Sequence, residues 1–254
     1  MPEGDTIHRI ARRIELALAG REVSAAAPNP RSPIHHRANE LAGRTVAGAE
    51  AYGKHLVIHL SGDRVIHSHL GINGRFRVEA GAAPPPRPAP WLLLSGEGRF
   101  AIQVGGKILR IVSESRARND PLLARLGPDP LRPGFDLDGA AQRLRAMGAG
   151  RAVGEALLDQ EIVAGIGNAI SIGACFAARV SPWRPVDELS TDDARRLIAE
   201  SLRIMRIAVE SGHRPRSVYG SVRRGCPRCG GRVSVRGQGD ANRATYWCPS
   251  CQPR

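Results

Sequence analysis

The stretch Leu157-Leu158-Asp159-Gln160-Glu161-Ile162-Val163-Ala164-Gly165-Ile166-Gly167-Asn168 decides how the chain is read. An apolar helical run enters a turn in which Gly165 and Gly167 permit positive φ and let a second backbone approach closely, and Asn168 opens the next helix. A turn of this build presents backbone N–H groups and an amide to an anion, which suits a DNA phosphate. It serves equally well as a packing corner between two helices with Asn168 as a cap. The sequence on either side has to decide.

Toward the C-terminus, Ser190 is followed three residues on by Asp193, a helix-start pattern, and Leu197, Ile198, Leu202 and Met205 give that helix a buried stripe until Gly212 stops it. Residues 220–254 are rich in Gly, Arg and Cys and too few to fold on an apolar core alone, so a metal has to organise them. Cys226-x-x-Cys229 and Cys248-x-x-Cys251 have the spacing of a zinc ribbon, in which two tight turns bring four thiolates to one tetrahedral ion. Four thiolates leave no open position for water, so one structural zinc ion is expected, and no organic cofactor. Between the pairs, Val233-Ser234-Val235-Arg236 and Ala244-Thr245-Tyr246-Trp247 read as a hairpin. Arg243 falls at its end farthest from the metal, where a guanidinium either reaches a phosphate or is simply solvated. The fifth cysteine, Cys175, stands alone in an apolar stretch and reads as a small core residue.

Toward the N-terminus, Leu137, Ala140, Ala141 and Leu144 share one helical face, and Pro128, Pro130 and Pro133 mark a boundary before them. Over residues 46–112 the texture changes to short apolar runs such as His55-Leu56-Val57-Ile58-His59-Leu60 and Trp91-Leu92-Leu93-Leu94, separated by Gly-rich turns. This predicts an antiparallel sheet, arranged as a sandwich. The Pro-rich residues 82–90 cannot sit inside a sheet and are expected as an exposed loop between two strands. Ile7, Ile10, Ile14 and Leu18, stopped by Gly20, predict an amphipathic helix close behind the terminus.

Composition narrows the function. Apolar residues at 42% and charged residues at 24% exclude disorder of the whole chain. Lys and Arg number 37 against 24 Asp and Glu, a net charge of +13 that points to a polyanionic partner or to an Arg-rich surface. No apolar run approaches the ~20 residues needed to span a bilayer. The start Met1-Pro2-Glu3-Gly4-Asp5 has neither the basic region nor the apolar core of a secretory signal, so the cytosol is expected and a membrane is not.

That start carries chemistry of its own. Removal of Met1 before a small residue exposes the secondary amine of Pro2. An α-amino group titrates near ~8 and a free lysine near ~10.4, so the terminal amine is the better nucleophile at neutral pH. It can attack a sugar C1′ to form an iminium, and the neighbouring Glu3 can donate and accept protons as the base departs and the ring opens. Many chains begin Met-Pro, and the feature gains meaning only beside the others.

Taken together these stretches resemble the formamidopyrimidine-DNA glycosylase and endonuclease VIII family, along nearly the whole chain. Met1-Pro2-Glu3-Gly4, Tyr52-Gly53-Lys54, Leu158-Asp159-Gln160 to Gly165-Ile166-Gly167-Asn168, and Asn242-Arg243-Ala244-Thr245-Tyr246-Trp247-Cys248 occur in the family's order. The resemblance implies an α+β protein: an N-terminal antiparallel β-sandwich with flanking helices over residues 1–120, a helical helix-two-turn-helix domain over 121–219, and a zinc-finger β-hairpin over 220–254. By position it implies Pro2 as Schiff-base nucleophile, Glu3 as proton donor, Lys54 near the lesion phosphates with a part in β-elimination, and Arg243 in δ-elimination. Asn168 and Arg243 match the pair that grips phosphates flanking the flipped nucleotide, and Arg125 matches a DNA-binding arginine of the endonuclease VIII branch. Leu70, Gly71 and Ile72 occupy the loop that fills the void left by an everted base.

Two departures from the family pattern carry expectations. Ile170 and Gly173 replace the usual aromatic and acidic residues after Asn168, which predicts a looser second helix. The formamidopyrimidine branch inserts an Asp-Pro-Arg-Arg-Phe-Gly loop beside the orphaned base; here residues 99–110 read instead as strands joined at Gly105-Gly106. The expectation is a bifunctional glycosylase and abasic-site lyase with β,δ-elimination that prefers oxidised pyrimidines, acting as a monomer on duplex DNA containing oxidised bases or abasic sites. The rival is a zinc-finger protein that binds damaged or structured DNA without catalysis, but it leaves Pro2 and Glu3 unexplained.

Overall fold

Ile7, Ile10, Ile14 and Leu18 are all buried along one side of α1 (Gly4–Leu18). Glu3 precedes it in extended conformation, its carbonyl accepting from the N–H of Thr6 at 2.9 Å and of Ile7 at 3.1 Å. The structure, a computed structural model, describes residues 2–82 and 88–253. Residues 83–87 of the expected Pro-rich loop lie outside the described residues.

Eight strands follow α1: β1 (Glu22–Ala26), β2 (Arg44–Tyr52), β3 (His55–Leu60), β4 (Arg64–His69), β5 (Arg75–Ala80), β6 (Leu92–Gly96), β7 (Arg99–Val104) and β8 (Ile108–Val112). Their hydrogen-bonding order is β5-β7-β6-β1-β2-β3-β4-β8. Among the described residues, the strand pairing that links the two halves of this ribbon is the short antiparallel register Glu22↔Thr45 and Val23↔Arg44 between β1 and β2. β4 and β7 are far apart in that order, yet Ser68 Oγ donates to Gln103 Oε1 at 2.7 Å. The ribbon therefore folds over on itself as the expected sandwich, and Leu92, Leu94 and Ala101 of one half share a core with Leu56, Ile58, Ile66 and Leu109 of the other.

Two short helices close the first unit, Met1–Arg125. They are α2 (Glu114–Arg118), capped by Ser113, and α3 (Pro121–Ala124), capped by Asp120 with Pro121 in its first turn. The second unit, Leu126–Arg254, carries the rest. It comprises α4 (Leu137–Met147), α5 (Val153–Ala156), α6 (Asn168–Ala178), α7 (Thr191–Ser211) and the hairpin of β9 (Ser234–Gln238) with β10 (Arg243–Trp247).

Ser190 caps α7, its hydroxyl accepting from the Asp193 N–H at 3.0 Å, and Gly212 ends the helix at φ +82. In the α7 stripe Leu202 is only half-buried and Ile204 takes the inner position. The reason lies in α6. A Cβ on Gly173 would stand 3.1 Å from Ile204 Cδ1, so the missing side chain admits Ile204, while Ile170 is fully buried. The residues expected to loosen α6 instead seat it against α7. No helix among the described residues is long and apolar enough to cross a membrane.

Candidate active site

Pro2, Thr6 and Ile10 at the start of α1 line a cleft of about 710 Å³ together with Leu70, Ile72 and residues 73–77. Glu3 is buried beside it, and Asp5 Oδ1 accepts from both the N–H and the hydroxyl of Thr6, at 2.7 and 3.2 Å. The loop after β4 is a tight turn. Gly71 takes φ +61 and donates its N–H to His69 Nδ1 at 3.0 Å, and Gly74 donates to the Leu70 carbonyl at 3.0 Å. Leu70 is buried beneath, whereas Ile72 is 65% exposed, so of the two only Ile72 projects from the loop.

Lys54 lies in the two-residue turn that joins β2 to β3, closed by the pair Tyr52↔His55, with Gly53 at φ +56. Burial, with the Lys107 and Lys54 cations adding to it, pushes the His69 imidazole down to about 4, so it is neutral. Arg125 is exposed at the C-terminus of α3.

In the second unit Gln160 ties the turn together. Its amide nitrogen donates to the carbonyls of Leu158 and Ile166 at 2.7 and 3.0 Å, and its Oε1 accepts from the Gly165 N–H at 3.0 Å. Burial disfavours the Asp159 carboxylate, but hydrogen bonds from Arg151 and the Glu161 N–H outweigh it and hold the group below the usual range. Gly165 uses left-handed freedom at φ +88, but Gly167 is extended at φ −115 and needs none. It stands as the extended residue just ahead of α6.

Asn168 does not cap α6 with its side chain. Its amide donates to the Ala244 carbonyl at 2.9 Å, tying the helix start to the strand that begins with exposed Arg243. The structure thus brings Pro2, Leu70 and Ile72 to one cleft in the first unit, and Asn168 and Arg243 to adjoining backbone in the second. Sequence reading missed Gly127, whose N–H donates to the Gln160 carbonyl at 2.9 Å, and the histidines of β3 and β4. Leu126-Gly127-Pro128 was a signal for the first, a glycine beside a proline next to a tight turn.

The four cysteine sulfurs lie within 4.8 Å of one another, with Cys226 to Cys251 at 3.9 Å and Cys229 to Cys248 at 3.6 Å. A tetrahedral tetrathiolate with ~2.3 Å metal–sulfur bonds has edges of about 3.8 Å, so the cluster fits a bound ion. Burial opposes ionisation of Cys226, yet N–H groups of Arg228 and Cys229 aimed at its sulfur bring the thiol down to about 7. The finger is docked on the helices by side-chain amides. Gln238 donates to the Pro182 carbonyl at 2.9 Å and Gln252 to that of Val180 at 3.0 Å. Arg228 stacks 4.2 Å from the Phe176 ring centroid. Lone Cys175 is fully buried in the helical core, where burial pushes its thiol up to about 12.

Residues 1–113 match the formamidopyrimidine-DNA glycosylase N-terminal domain and residues 126–218 the formamidopyrimidine-DNA glycosylase H2TH domain. Over 99% of its length the chain is 41% identical to the "Probable endonuclease 8 2" of Streptomyces coelicolor, covering 94% of that protein. It is 33% identical over 99% of its length to the formamidopyrimidine-DNA glycosylase of Thermus thermophilus, covering 97% of it. Among solved structures, Lactococcus lactis Fpg (MutM) in complex with DNA containing N7-benzyl-Fapy-dG superposes with a TM-score of 0.85 at 25% identity, both chains covered in full. The fold is that of a base-excision-repair DNA glycosylase. The chain belongs to the formamidopyrimidine-DNA glycosylase and endonuclease 8 family.

Proposed function

We propose that this enzyme excises oxidised bases from duplex DNA, pyrimidines in preference to 8-oxoguanine, and then cleaves the strand at the abasic sugar. The observation that carries the proposal is the cleft in which Pro2 faces the Leu70 to Ile72 loop. With Met1 removed, the Pro2 nitrogen attacks C1′ as the glycosidic bond breaks, and the departing base takes its electrons and a proton from Glu3. Glu3 takes the proton from the attacking nitrogen and passes it to O4′ as the C1′–O4′ bond breaks, and the iminium so formed makes the C2′ proton acidic. Its loss expels the 3′ phosphate, loss of the C4′ proton expels the 5′ phosphate, and water then hydrolyses the iminium, releasing the sugar remnant as an aldehyde and returning the amine. Lys54 serves the first elimination and Arg243 the second. Asn168 and Arg125 grip phosphates, and Ile72 fills the space vacated by the everted nucleotide. The ion held by Cys226, Cys229, Cys248 and Cys251 is one structural zinc, and the enzyme acts as a cytosolic monomer.

Lesion preference follows from the connection between β7 and β8. Gly105-Gly106-Lys107 offers neither an arginine nor an aromatic ring to read the orphaned base. Discrimination then falls on the cost of eversion, and a saturated, non-aromatic pyrimidine stacks poorly and leaves the helix at lower cost than an oxidised purine. Borohydride reduction during turnover should trap abasic DNA on the Pro2 nitrogen, and Pro2→Gly should keep duplex binding while losing most cleavage. Trapping on a lysine with Pro2 untouched would overturn the assignment. Single-turnover excision on matched duplexes should favour thymine glycol, and a clear preference for 8-oxoguanine opposite cytosine would refute the lesion preference.

A further inference from the structure

We propose that His67 and His55 are positioning residues for Lys54: a buried column of hydrogen-bonded imidazoles, anchored on Arg110 and Asp120, fixes the hairpin turn that carries the lysine. The proposal rests on the reading that Lys54 works in strand cleavage.

Strand register puts the column together. His55 lies opposite His69, His67 lies opposite Val57 on one side and Arg110 on the other, and alternation sends all of them to one face of β3, β4 and β8. That face is covered. Val57, Val65 and Ala117 pack there with Leu123, and His67, His55 and Asp120 are 1%, 8% and 4% exposed. The Asp120 carboxylate contacts the Arg110 guanidinium and also caps the Leu122 N–H.

Arg110 Nε and Nη2 stand 3.1 and 2.9 Å from His67 Nδ1, and His67 Nε2 stands 2.8 Å from His55 Nδ1. A guanidinium only donates, so His67 Nδ1 is a lone pair and its proton sits on Nε2. That N–H donates to His55, whose own proton is then on Nε2. Asp120 also lies 3.3 Å from His67 Nδ1, but its charge is taken by the guanidinium. Burial, with His69, Arg110 and Lys107 nearby, pushes His55 down to about 3; burial and Arg110 push His67 down to about 4. Both rings are neutral and each has one defined tautomer.

His55 is the first residue after Lys54, and its pair with Tyr52 closes the turn. Locking its imidazole from below locks the direction in which the turn presents the lysine, and displacing a catalytic group by an ångström costs orders of magnitude in rate. The opposite end of the column reaches Asp120, which starts the short helix leading to Arg125. One polar column therefore braces both ends of this face.

The test combines spectroscopy with kinetics on the metal-loaded protein. Imidazole ¹⁵N spectra should show His55 and His67 as Nε2–H tautomers that do not titrate between about pH 7 and pH 5, the window in which an ordinary histidine does. His67→Leu should slow single-turnover cleavage at a preformed abasic site at least about tenfold while duplex affinity stays within about twofold. His67→Gln, which keeps an acceptor for Arg110 and a donor for His55, should recover most of the rate. An Nδ1–H tautomer, titration near the ordinary histidine value, wild-type cleavage by His67→Leu, or equal loss in the Leu and Gln variants would each overturn the proposal. Wild-type protein that binds abasic DNA without cutting it would instead sink the functional reading, with the tautomers still deciding whether the column exists.

Discussion

His59 bridges two carboxylates, with Nε2 3.3 Å from Glu50 and Nδ1 2.7 Å from Glu114. Hydrogen bonding to Glu50, and then to Glu114, outweighs burial and raises the imidazole from 6.5 to about 9. A folded-state value above the unfolded one means that folding binds a proton more tightly. The stabilisation is therefore complete below the unfolded value of about 6.5 and fades as pH rises through about 9. Denaturant unfolding of the wild type should show this loss across that window, and His59→Gln should flatten it; equal pH slopes in the two proteins would contradict the assignment. Asn168 makes a different kind of contribution. Asn168→Ala removes the donor to the Ala244 carbonyl, so it should cost about 1 kcal/mol of stability and also weaken duplex binding by loosening the strand that starts at Arg243. Binding that survives unchanged would show the amide to be purely structural.

The turn between α5 and α6 is held from outside as much as from within. Gly127 donates to the Gln160 carbonyl, and a Cβ there would stand 2.4 Å from the Glu161 oxygen and 2.6 Å from that of Ile162. Both are backbone atoms and cannot swing aside. Gly127→Ala should therefore displace the turn at a cost of about 1–3 kcal/mol and reduce DNA affinity, while amide exchange in β3 and β4 stays unchanged. Full affinity in this variant would mean that the turn tolerates the shift and contributes little to binding. What made α1, β3 and the two cysteine pairs legible in the sequence is that each is written in local spacing: the stripe from Ile7 to Leu18, the run from His55 to Leu60, the doubled Cys-x-x-Cys. The partner of Asn168 was not legible, because it is a carbonyl 76 residues away whose place depends on how the finger docks. The choice of Ile204 over Leu202 was equally hidden, since it is made by a glycine on a different helix. The histidine column is hidden for the same reason: three strands must pair in register before His67 meets both His55 and Arg110.

At the scale of the molecule, the charge of +13 makes binding a polyelectrolyte problem, and duplex affinity should fall log-linearly with salt; Arg243→Ala should reduce that slope by about one counterion. An ion held by the four cysteines would act through packing. Cys226 and Cys248 are buried in one small core with Ile172 and Phe176 of α6, Val218 and Val233, so the four-sulfur site and the face of α6 are a single packing unit. Releasing the ion frees four thiols that have no other reason to converge, and the hairpin then loses both its cross-link and its apolar floor. The Ala244 carbonyl leaves with β10, and Asn168 loses the partner that orients it. Chelation should therefore abolish tight duplex binding through α6, although α6 holds no metal ligand. The sandwich has its own core, built on Ile7, Ile14, Leu56, Ile58, Leu92 and Leu94, to which no cysteine contributes. Hydrogen exchange after treatment with a strong chelator should show β9, β10 and the exposed face of α6 losing protection while β3, β4 and β6 keep theirs. Protection lost uniformly across both units would show that the metal supports the whole chain, and protection kept in β9 and β10 would show that the finger folds without it.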